Sequence, residues 1–475
     1  MKILSVFKSP YLYLFLCAFL VIVPTLQWSY TLDDIDNFYL ISQLKGAGDF
    51  CGYLLYPGDG HFIPLFRLLY FVCFKLFWLN PFVFHLAAVF AFFASAMILI
   101  KLIEKLTQSK AAGLCAGAFV LLSTGYTSCM EIVFTHSVFS LPLILYALYS
   151  LLKYQETKRL PWLFSVMACI VFAPFFSAMG ILTGGWVILF SFLCCDDRNR
   201  KTTLIGPIAV WILSAALFLI KTKAVAAVGN PIEYLLNAFV LTAKAFWIYT
   251  LPRLTSYKDV SLFLAVFLAL MAIVQRKKIN FKVFAFFALW IIGNFLFAYF
   301  GRGKWGERLL NSPRYALYAS FGMAAVVSLV IASIAQSKEW VSFLKPKKKV
   351  FAAALILLIG IHSIYQHQVI AKQTEKKKSL FVLGIQTESA LDSYFQSNGN
   401  RPIFLKDNKT GLRMLYPIAQ PMSYYASFLL RDESKKKVIW TSDKTEQNFL
   451  QHAKMKKNQY PQFFELLQDA QYFQQ

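Results

Sequence analysis

Apolar residues fall in runs about as long as a bilayer is thick, and those runs recur along the first 370 residues of a 475-residue chain. They predict membrane-spanning helices near 10–28, 82–103, 111–125, 137–152, 161–176, 178–194, 204–221, 259–275, 282–300, 314–336 and 350–368. The stretch 161–194 reads either as one kinked span or as two short ones. Residues 62–79 form a further apolar run, but Pro64, Arg67 and Lys75 interrupt it, which predicts a helix lying at or dipping into the interface. From residue 371 the chain turns polar and rich in Lys and Gln, with mixed segments at Pro402–Leu405 and Lys437–Trp440 that predict strands between helices. The expected fold is an all-α polytopic membrane protein of about eleven transmembrane helices over 1–370, each roughly a bilayer long. It carries interfacial helices in the first external loop and a small extracytoplasmic α/β appendage at 371–475.

Composition excludes the alternative of several soluble domains. Hydrophobic residues are 58% and charged residues 15% of the chain, against roughly 45–50% and 25% in soluble proteins. The charge is lopsided, 48 Lys+Arg against 24 Asp+Glu for a net +24. Its placement points to the bilayer rather than to nucleic acid. With the N-terminus in the cytoplasm, the inner loops hold Lys2 and Lys8, Lys101, Lys105 and Lys110, Lys153, Lys158 and Arg159, and Arg276 to Lys278. The outer loop at 125–136 holds no Lys or Arg, and the loop at 29–61 is acidic, with Asp33, Asp34, Asp36, Asp49 and Asp59 against Lys45. This bias fits one orientation. Trp28-Ser29-Tyr30 offers no small-residue cleavage site, so the first span is expected to stay as an anchor. Short loops and compact size point toward a bacterial inner membrane, with an ER membrane as the alternative.

Two outer segments break the rule: 221–258 is mildly basic, and 300–314 holds Arg302, Lys304, Arg308 and Arg314. Arg314 follows Pro313 at the start of a span, where the helix dipole disfavours a cation and an anionic partner would compensate. Arg302 and Lys304 either bind an anion or snorkel from a span end. Arg67, inside an apolar run, needs a partner, which a phosphate or an Asp of its own loop would supply. At the outer end of the first span, Asp33, Asp34 and Asp36 crowd three carboxylates into four positions. Like charges so close push at least one pKa upward, which suits a general base, although acidic residues also accumulate outside for topological reasons. Glu131, in the second outer loop with His136, offers a second polar contact or a metal ligand. His61 is either a supporting polar group or an ordinary loop histidine, and His85 reads as a packed core residue. No Cys or His pair has zinc-site spacing.

The order of these pieces resembles the integral-membrane GT-C superfamily of glycosyltransferases, most of all its protein O-mannosyltransferase and aminoarabinose-transferase branch. The resemblance rests on a first span, Asp33-Asp34, the run His61-Phe-Ile-Pro64-Leu-Phe-Arg67, then Asn80-Pro81-Phe-Val-Phe-His85 entering the next span. It covers residues 10–150, with Arg314-Tyr315 entering a late span as a further likeness. The resemblance implies inverting transfer of a hexose or pentose from a polyprenyl-phosphate-linked donor to an extracytoplasmic glycan, lipid or protein. It implies Asp33 as the base, Asp34 beside it, and cations for the departing phosphate drawn from Arg67, Arg302, Lys304, Arg308 and Arg314. A divalent metal is compatible with such a site. The chain lacks the inserted lumenal domain and the tetratricopeptide repeats of some relatives, which leaves an envelope glycan or lipid at least as suitable an acceptor as a protein. The rival expectation is a transporter or flippase of lipid-linked sugars, which calls for inverted repeats and mid-span charges that the sequence does not display.

Overall fold

A computed structural model describes residues 10–27, 37, 41, 44–56, 62–77, 81–121, 135–195, 200–222, 232–233, 236, 240, 281–302, 313–335, 364, 368, 403–405 and 413–415. Among these residues the chain is nearly all helical. The helices are α1 (Pro10–Ile22, continued by a 3-10 turn Val23–Gln27), α2 (Ala47–Leu55), α3 (Pro64–Phe77), α4 (Pro81–Thr107), α5 (Lys110–Leu121) and α6 (Thr135–Thr157). They continue as α7 (Leu160–Phe176), α8 (Thr183–Cys194), α9 (Arg200–Thr222), α10 (Phe281–Arg302) and α11 (Pro313–Ala335). Strands β1 (Ile403–Leu405) and β2 (Arg413–Leu415) pair antiparallel, Ile403 opposite Leu415.

Among the described residues, four stretches are long and apolar enough to cross a membrane: Phe82–Thr107, Thr135–Thr157, Thr203–Ile220 and Phe281–Tyr299. Shorter apolar helices lie at Pro10–Ile22, Lys110–Leu121, Leu160–Phe176, Ala178–Cys194 and Leu317–Val330. The predicted span 259–275, all of the predicted span 350–368 except Ile364 and Gln368, and the predicted strand Lys437–Trp440 lie outside the described residues. The stretch 161–194 is two helices: Pro174 nears the end of α7, and a 3-10 turn, Ala178–Leu182, leads into α8. Gly180 sits so close to the Ala173–Pro174 backbone that no Cβ fits there. Prolines open α3, α4 and α11 at their first residue, where the missing amide costs nothing. Ser109 caps α5, its Oγ accepting the Ala112 amide at 3.3 Å.

The chain divides into two units, one comprising 1–25, 60–66 and 85–371, the other 26–59, 67–84 and 372–475. Within the first unit α6 packs along α7, α10 along α11, α11 against α5, and α9 against α7. Close approach is made by small residues, as in helix pairs that have no hydrophobic effect to draw them together. A Cβ on Gly117 of α5 would stand 2.5 Å from Ile100 Cδ1 of α4. Aromatic rings fill the interior between α8 and α10: Trp186 lies 5.1 Å from Trp290, and Phe190 4.9 Å from Phe286. Two of the indoles here find a carbonyl acceptor, whereas the Nε1 of buried Trp186 has no hydrogen-bond partner among the described residues. Trp290 donates to the Tyr318 carbonyl at 2.9 Å, and Trp211 to that of Ile181 at 2.7 Å. His85 is fully buried in α4, as its apolar neighbours predicted.

Candidate functional site

Two groups of polar side chains stand out, one in each unit. In the second unit the helix α2, which apolar periodicity does not announce, packs on α3. Phe50 lies 4.6 Å from Phe71, and Tyr53 is buried over Arg67. Arg67 is 6% exposed. Its Nη1 donates to the Tyr53 carbonyl at 2.7 Å, and its guanidinium carbon lies 5.5 Å from the Tyr53 ring centre and 5.0 Å from that of Tyr56. Ring faces are negative, so both attract the cation. Burial holds the Tyr53 phenol well above its ordinary pKa, only partly opposed by the Arg67 charge. The phenol therefore stays neutral at physiological pH and does not cancel the guanidinium charge. What results is a planar cation held in a fixed orientation, a form suited to two-oxygen recognition of a phosphate.

In the first unit a buried polar knot joins α6 to α11. Ser140 Oγ and Tyr318 Oη share a hydrogen bond. Tyr318 Oη also reaches the Ser137 carbonyl at 3.2 Å, and Ser140 Oγ reaches the same carbonyl at 3.0 Å. Ser137 Oγ contacts His136 Nδ1 at 3.3 Å. Two residues after Ser140, Pro142 lacks the amide that would bond to the Val138 carbonyl, which weakens the helix just where the knot secures it. The segment before Arg67 is seated on this same end of α6, with Phe66 edge-on to His136 at 5.7 Å and Phe62 edge-on to Phe175 of α7 at 5.9 Å. His136 is therefore a buried residue in the first turn of α6 rather than a loop histidine.

Tyr318→Phe removes the hydroxyl that ties the two helices. It should lower the melting temperature of the purified protein by an amount corresponding to about 1 kcal/mol. Ser140→Ala should cost a similar amount, and the double variant less than the two together, because both acts remove one shared bond.

The sequence singled out other positions as well. Arg302 is the last residue of α10, and Arg314 and Tyr315 lie in the first turn of α11, so these three border the 303–312 connection between two packed helices. Asp33, Asp34, His61, Glu131, Lys304 and Arg308 lie outside the described residues. Among the described residues no group of three His, Cys, Asp or Glu side chains forms a metal site. Sequence reasoning missed Ser140 and Tyr318, which are 178 positions apart and carry no local motif. It also missed Tyr53 and Tyr56, for which the only signal was that a buried Arg requires a partner. Compared with known family models and with curated proteins, the chain matches none.

Proposed function

We propose that the chain is an inverting glycosyltransferase of the GT-C type. It takes a hexose or pentose from a polyprenyl-phosphate carrier and passes it to an extracytoplasmic glycan, lipid or protein. In this reading it crosses a bacterial inner membrane about eleven times with helices of bilayer length. The N-terminus lies in the cytoplasm and the polar 371–475 segment outside.

The observation that carries the reading is the Asp33-Asp34 pair directly after the first apolar helix, followed by a short-helix loop in which Arg67 is a buried, oriented cation. A displacement at an anomeric carbon needs a base on the acceptor side and cations on the leaving side. Asp33 takes the proton of the acceptor hydroxyl, whose oxygen bonds to the anomeric carbon as the bond to the phosphate oxygen breaks. The electron pair leaves with polyprenyl phosphate, whose added charge is met by Arg67, Arg302, Lys304, Arg308 and Arg314. Asp34 keeps the neighbourhood anionic, and Glu131, His61 and Tyr315 supply polar contacts.

Deleting the protein from its cell and examining the envelope glycans by mass spectrometry tests the reading. One sugar should vanish from a glycan or lipid while its polyprenyl-phosphate form accumulates. An unchanged set of glycans, lipids and glycoproteins would refute it.

A further inference from the structure

The ends of α4 to α7 remote from the polar knot carry a second, unrelated arrangement. Six cations (Lys101, Lys105, Lys110, Lys153, Lys158 and Arg159) meet two carboxylates there. Glu104 accepts from Tyr11 and from Lys101 at 2.8 Å, while Glu156 binds Lys105 and lies 3.5 Å from Lys153. The α6–α7 turn consists of exposed Lys158 and Arg159. Lys158 has φ 53°, the left-handed region where a helix end ordinarily places glycine. Around the turn stand aromatic rings of the kind that settle at headgroup level. Tyr154 lies under Lys158 at 5.7 Å, and Trp162 is edge-on to Tyr149 at 6.5 Å.

Below the turn, α7 exposes Leu160, Phe164, Ala168 and Phe172, a single stripe of every fourth residue. Ala168 makes a notch between two phenylalanines. The stripe runs about 18 Å at 1.5 Å per residue, close to the roughly 15 Å depth of one leaflet's hydrocarbon. We propose that the α6–α7 turn is a binding site for one anionic phospholipid. Lys158 and Arg159 hold its phosphate, with Lys153 and Lys105 adding to the local field, and one acyl chain lies along the α7 stripe. The basic loops assign this end to the cytoplasmic leaflet, whose surface is anionic.

The test uses the purified full chain, delipidated and then equilibrated with phosphatidylglycerol or with phosphatidylcholine of the same acyl chains, and native mass spectrometry to count retained lipids. The wild type should retain phosphatidylglycerol about tenfold more than phosphatidylcholine, as a field of a few basic residues provides. The variant Lys158→Gly combined with Arg159→Gln should lose most of that preference, keeping only what the Glu156-paired Lys105 and Lys153 contribute. Because glycine relieves the left-handed backbone, misfolding does not explain such a loss. Phe164→Ala should weaken retention of both lipids alike. Equal retention of the two lipids by the wild type, or undiminished phosphatidylglycerol preference in the double variant, would overturn the site.

Discussion

Asp33→Asn is expected to lower kcat for sugar transfer by about a hundredfold to ten-thousandfold, the usual contribution of a positioned general base. Asparagine keeps the size of the side chain and removes only its capacity to take a proton. The loss should therefore fall on kcat, with the donor KM little changed, because binding of the lipid carrier and its phosphate does not depend on that proton. Asp34→Asn should lose much less, since Asp34 acts through its neighbour. Radiolabelled donor and membranes carrying each variant at matched protein levels provide the measurement. Full activity in both variants would sink the assignment of the acid pair.

Arg67→Met should have the next largest effect, and it acts first on structure. The substitution keeps an apolar stem but removes a charged hydrogen bond to the Tyr53 carbonyl, worth about 1.5–3 kcal/mol, and two ring contacts of about 0.5–2 kcal/mol each. These terms share one group and do not simply add. A loss of that size is large for a pair of short helices, nine and fourteen residues long, which open locally. Amide exchange in 47–77 should accelerate at least tenfold, and transfer should fall with it. Arg67→Lys should restore little of either, because an ammonium lacks the planar fork that bonds the carbonyl while lying against two rings. Tyr53→Phe offers the contrast. Its hydroxyl reaches the Arg67 carbonyl at only 3.4 Å, beyond good hydrogen-bond length, so that variant should exchange nearly as slowly as the wild type.

The helices were readable because a segment that faces lipid or a lipid-like core must be apolar for about its whole length, whatever its neighbours are. That is why α4, α6, α9 and α10 occupy the stretches the apolar runs predicted. It is also why the break in 161–194 was visible only as an ambiguity: Pro174 and Gly180 fix a 3-10 turn, but a proline inside α6 does not end that helix. The helix α2 was not readable, since its nine residues mix two glycines, Asp49 and two tyrosine-flanked apolar positions without a clear period. Arg67 drew attention correctly as a cation in an apolar run. Its partners among the described residues include a backbone carbonyl and two ring faces, which have no signature in composition or spacing. The Ser140–Tyr318 contact depends on how α6 and α11 meet, which local periodicity does not encode.

The most direct test of the proposed activity reconstitutes the purified protein in liposomes containing a polyprenyl-phosphate-linked sugar labelled in the sugar, and supplies an extracted envelope-glycan, lipid and protein fraction as acceptor. The quantity to measure is unloaded polyprenyl phosphate against labelled acceptor over time. The account predicts that the two appear in equal amounts, and that Asp33→Asn abolishes both. Sugar that stays bonded to its carrier and only changes leaflet would contradict it and make the protein a flippase.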